Sequence, residues 1–186
     1  MIGCLPETLS INGREIPINA DFRRALIVMA AFQDPELSDE EKGYIMLDSI
    51  IGIKNLNKED YKAAAKECVW FLDGGHVYTE ARKKEKLMDW EQDEQMIFSA
   101  VNNVAHVETR AQPFIHWWTF LGYFNEIREG LFSQVLLIRQ KKAKGKKLDK
   151  AEQEFYSANK ELVDLQRKYS KEEQDEIDYW NKILGD

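Results

Sequence analysis

The stretch from Pro113 to Phe124 sets the strongest limit on how this chain folds. It holds Phe114, Ile115, Trp117, Trp118, Phe120, Leu121 and Phe124. A helix here is apolar nearly all round, so it belongs in the middle of a fold rather than on its surface. Pro113 suits the first helical position, where its missing N–H would have no partner anyway. At about a dozen residues the segment is too short to cross a bilayer, which needs roughly 20. Trp117, Trp118, Phe120 and Leu121 are therefore assigned to the structural core.

The segments around it read as helices, with one exception at the start. Leu9 and Ile11, then Ile16 and Ile18, flank Asn12-Gly13, the favoured dipeptide of a type I′ hairpin turn. A lone hairpin is marginal in water, so this one must rest on the helices that follow. Helical spacing then predicts a helix over 20–33, with Phe22, Leu26, Met29 and Ala30 on one face. Ser38 with Glu41 forms a capping box for a second helix that ends near Gly52. Asn57 caps a third, stopped by Gly74-Gly75. Residues 76–86 are charged and weakly periodic and read as a connector.

Asp89 and Gln92 have the spacing of a further capping box, ahead of Ile97, Ala100, Val101 and Val104. A helix over 132–143 presents Val135, Leu136 and Ile138 and fades into a basic run. Asp149 with Glu152 caps what reads as the longest helix. Its apolar positions, Leu148, Ala151, Phe155, Ala158, Leu162, Leu165 and Tyr169, alternate steps of three and four in a heptad seam. Ser170 with Glu173 starts a last helix bearing Ile177, Trp180 and Leu184. The fold class expected is all-α, a bundle of about seven helices with a short N-terminal β-hairpin. Residues 1–147 form the hairpin and helical core, and 148–186 a C-terminal helical hairpin packed on it.

The residues that could carry chemistry do not converge. His76, His106 and His116 lie in different segments without ligands at helical spacing, so no metal site is predicted. Cys68 shares the apolar side of its helix with Leu72, where a thiol is inert. No phosphate-cradling glycine loop or nucleophile elbow is present. Asp89, Glu91, Asp93 and Glu94 form a carboxylate patch of the kind a helix N-terminus favours. Catalytic, cofactor and metal residues are all expected to be none, and the chain is expected not to be an enzyme.

A net charge of −7 over 186 residues argues against general nucleic-acid binding, which needs a basic surface. The run Arg139, Lys141, Lys142, Lys144, Lys146 and Lys147 reads as a helix C-terminus and a solvated loop, without aromatics for base stacking. Two cysteines and no visible export signal point to a reducing, cytoplasmic setting. The heptad seam has two readings, an inward stripe of the bundle or a face offered to a helix of another chain.

One string is more specific than a pattern. His116-Trp117-Trp118-Thr119-Phe120-Leu121, followed by Phe132, Ile138-Arg139 and Lys141-Lys142, resembles the bacteriophage Gp15 family. Asp89-Trp90-Glu91-Gln92-Asp93 before Ile97, and Phe22-Arg23 after the hairpin, fit the same family, so the resemblance spans about residues 5 to 165. Where relatives often have a Tyr-Gly-Ile-Asp type turn, this chain has Val104-Ala105-His106-Val107-Glu108. The resemblance implies a gene between those of the major tail protein and the tape-measure protein. It further implies a tail assembly chaperone that binds the tape measure in the host bacterial cytoplasm. The alternative it leaves is a virion component such as a tail connector or completion protein. It brings no catalytic residues, and self-association stays open. For partner binding, the residues singled out are Phe155, Leu162, Trp180 and Leu184, on the terminal helices most easily lent to another chain.

Overall fold

Asn12 and Gly13 both take positive φ, 50° and 79°, and turn the chain between β1 (Thr8–Ile11) and β2 (Arg14–Pro17). The strands pair antiparallel with Leu9 opposite Ile16 and Ile11 opposite Arg14. Alternation puts Leu9, Ile11 and Ile16 on one buried face. That face rests on the helices, as a two-stranded ribbon must. The turn is fastened too: Asn12 Nδ2 donates to Asp60 Oδ1 at 2.8 Å, and Arg14 forms an ion pair with the same carboxylate.

The protein is described here from a computed structural model covering residues 3–76, 85–166 and 168–184, less the Leu184 side chain. The charged connector expected over 76–86 falls mostly on 77–84, outside the described residues. Among the described residues, nine α-helices follow the hairpin: α1 (Phe22–Gln33), α2 (Asp39–Ile50), α3 (Tyr61–Leu72), α4 (Glu94–Ala105), α5 (Trp117–Asn125), α6 (Leu131–Ala143), α7 (Lys150–Ala158), α8 (Lys160–Val163) and α9 (Lys171–Leu184). The expected fold, helical with a short N-terminal hairpin, is the one observed.

Several of the local signals act as expected, although Asn57 makes no side-chain cap and α3 begins at Tyr61. Ser38 and Glu41 exchange side-chain and backbone hydrogen bonds at the start of α2, and Asp149 and Glu152 do so at α7. α1 packs along α2, and α3 packs against both α2 and β1. At the centre, the Phe22 and Phe120 rings stack at 4.7 Å between centroids, with Phe98 edge-on to both and Trp117 stacked on Phe120. Phe22, Trp117 and Phe120 are fully buried. Trp118 and Leu121 are half-buried against the same core.

Three expectations about helix limits need correction. The central helix starts at Trp117, not Pro113. Residues 115–117 run extended and pair with 20–22, through Phe22 N–H to Ile115 O and Trp117 N–H to Ala20 O. His116 then acts as N-cap, its Nδ1 accepting the Trp118 N–H at 3.0 Å. Its Nε2, 3.0 Å from Pro6 O, is left as the donor that ties the N-terminal segment to α5. Phe114, outside the helix, is exposed.

The helix expected behind Asp89 starts only at Glu94. Asp89 instead caps a turn, accepting the N–H groups of Glu91 and Gln92. The long heptad helix is divided at Asn159 (φ −129°, ψ 33°) and ends at Val163. The Asn159 side chain donates to Phe155 O, the local backbone bonding by which asparagine competes with helix.

Candidate interaction surfaces and the buried clasp

Arg139 and Asp93 form a buried polar cluster. Both are buried, 5% and 0% exposed. They lie on apolar faces: Asp93 is four residues before Ile97, and Arg139 four after Val135. All five guanidinium N–H groups are used. Two donate to the Asp93 carboxylate at 2.6 and 2.9 Å, and the others to the carbonyls of Val163, Leu87 and Leu162. One side chain therefore joins α6, the start of α4, the segment before it and the end of α8.

Asp89 extends the cluster. Its backbone N–H donates to Asp93 Oδ2, and its carboxylate takes Lys86 Nζ at 2.8 Å and Lys168 Nζ at 3.2 Å. Burial opposes its ionisation, but the Lys86, Gln92 and Lys168 hydrogen bonds outweigh it and hold the carboxyl well below the usual carboxylate range. Gln92 adds two bonds to the segment after α8, donating to Asp164 O and accepting the Gln166 N–H.

The basic run is thus not a simply solvated feature, as the sequence had suggested. Arg139 is buried, Lys141 pairs with Glu152 on α7, and Lys142 pairs with Asp164 at 2.5 Å while lying over the Tyr156 ring. Its first cations hold α7 and α8 on α6. The carboxylate patch divides likewise: Asp89 and Asp93 go inward, and Glu91 takes Lys168 at 2.5 Å.

Apolar side chains stay exposed at several places among the described residues, and two of these form clusters. The first is an open groove of about 590 Å³ between α1 and α4, floored by Phe22, Leu26, Ile27 and Phe98. Arg23 and Arg110 cover its aromatic rings, 4.6 Å from the Phe22 centroid and 4.9 Å from Phe98, and Glu91 and Glu94 also line it. The second is α9, where Tyr179, Trp180 and Ile183 are 60%, 51% and 54% exposed. The α9 root is held to the domain, with the Lys171 N–H donating to Glu36 and Lys168 paired with Glu91.

Of the residues singled out for partner binding, Phe155 and Leu162 are half-buried against the core, and Trp180 is exposed on α9. The Leu184 side chain lies outside the described residues. Cys68 is fully buried, and burial pushes its thiol pKa up to about 12. Among the described residues no three His, Cys, Asp or Glu side chains gather to hold a metal ion, and no helix is long and apolar enough to cross a membrane.

The fold and surfaces define a helical domain locked by a buried ion pair, with an N-terminal hairpin and apolar faces turned outward. The family model described as Bacteriophage Gp15 protein matches residues 1–165, and the chain belongs to that family. It is accordingly a phage structural or morphogenesis protein, and its partners are other phage proteins. No curated protein and no solved structure matches the chain.

Proposed function

We propose that this protein is a non-enzymatic tail assembly chaperone that binds the tape-measure protein in the host cytoplasm. The observation that carries the reading is outward apolar surface on a chain of the Gp15 family. The α1–α4 groove and the stripe on α9 both have the form that receives or presents an amphipathic helix. A tape measure is a long helical chain whose apolar stripes would aggregate if left bare. A binder with a net charge of −7 keeps such a complex dispersed.

The alternative, a connector or completion protein retained in the virion, makes an opposite prediction about the particle. Quantitative mass spectrometry of purified virions and of the producing cells separates the two. The chaperone is abundant in cells and absent from particles. A fixed copy number per particle would instead place it in the virion.

A further inference from the structure

We propose that α9 is a docking helix for a cationic amphipathic segment of another protein. The proposal rests on the binding role above and adds the face and the partner's charge. At 100° per residue, Glu173, Glu176, Ile177, Trp180 and Ile183 fall on one side of α9. The acidic positions occupy its first turns and the large apolar ones its last. Ile183 and Trp180 are about half exposed, and the Tyr179 ring stands edge-on to Trp180 at 5.7 Å.

Tyr169, Glu173, Glu176, Ile177 and Trp180 together line a hollow of about 390 Å³. This combination suits a lysine or arginine. The aliphatic stem lies along Ile177 and Trp180, and the cationic head reaches Glu176 and the Trp180 ring, Glu173 already accepting the Ser170 N–H at the start of α9.

Charge also decides between occupants. α9 carries five carboxylates, Glu172, Glu173, Asp175, Glu176 and Asp178, against Lys171 and Lys182. A second copy carries the same net charge of −7 and is repelled at long range, and its run of exposed cations, Lys144, Lys146 and Lys147, lies in a loop after α6 rather than on an amphipathic helix. Folding α9 back into the α1–α4 groove is opposed as well. Its root lies at Glu91, so its acidic first turns would meet Glu91 and Glu94, while the groove's Arg23 and Arg110 are already paired with Asp21 and Glu108. A cationic helix meets neither obstacle.

The test uses the full chain and two synthetic helical peptides with one apolar stripe, one lysine-rich and one glutamate-rich. Calorimetry should show the lysine peptide binding at least about tenfold tighter, with affinity falling as salt screens the contact. Trp180→Ala and Ile183→Ser should each weaken binding by about tenfold or more, with the thermal melt unchanged because neither side chain is in the core. Equal affinity for both peptides, or binding indifferent to both substitutions, would overturn the proposal. So would a dimer in sedimentation equilibrium that Trp180→Ala dissolves, since the stripe would then belong to a second copy. Because the probes are designed peptides, a negative result here is separable from a tape measure that proves to be the wrong partner.

Discussion

Arg139 shows how much one side chain can hold when every donor is spent. Lysine at this position offers a point charge and three donors without the planar fork, so at least two of the five acceptors lose the partner that Arg139 supplies. Arg139→Lys should therefore cost about 2–4 kcal/mol in urea unfolding despite keeping the charge. A loss within experimental error would mean that water substitutes for the guanidinium and the clasp is not tight. Asp89 gives a prediction in pH. Its carboxyl titrates lower when folded, so the unfolded chain binds the proton more readily, and the contribution to stability is complete above about pH 4. It is lost as pH falls below that value through the folded pKa. Asp89→Asn should give a flatter stability curve below about pH 4 than the wild type, measured by urea unfolding at stepped pH. Parallel curves would show that other carboxylates carry the acid limb. The clasp was legible in principle. Asp93 and Arg139 each sit in step with apolar neighbours, and opposite charges on two inward faces imply a buried pair. Read instead as members of a surface patch and a basic run, they gave no such signal.

At the scale of elements, the structure rests on turns that need particular residues. Gly13 and Gly75 both have positive φ, 79° and 83°, yet they should respond differently to alanine. A Cβ at Gly13 meets nothing, so only backbone strain of about 1 kcal/mol applies. A Cβ at Gly75 would lie 2.9 Å from the Trp118 ring, which is itself held by its indole N–H to Phe71 O. Gly75→Ala should thus lower the thermal midpoint clearly more than Gly13→Ala; equal shifts would place Trp118 elsewhere. The hairpin and the two capping boxes at α2 and α7 were readable because their signals are local. The start of α5 was not. Pro113 is a good first helical residue, but residues 115–117 pair with 20–22, and no window around Pro113 contains that partner. The seam failed for a related reason. Its apolar spacing continues past Asn159, whereas the chain turns there, and the fully buried side chain is Val163, outside the heptad.

For the molecule as a whole, the two C-terminal helical regions divide the work. α7 and α8 are fastened to α6 by Lys141, Lys142 and Arg139, so the seam residues Phe155 and Leu162 serve the protein's own core. α9 keeps its aromatic stripe outward. The fold was largely legible because helical periodicity and one short hairpin account for most of it. Which surface faces a partner was not, because an apolar helix face looks the same whether its cover comes from its own chain or from another. Co-expression distinguishes a protein whose outward faces shield a tape measure from one whose faces do not. The cognate tape-measure protein produced alone should collect in the insoluble fraction, and with this chain it should move to the soluble fraction as a complex. A tape measure equally soluble with and without the chain would contradict the account.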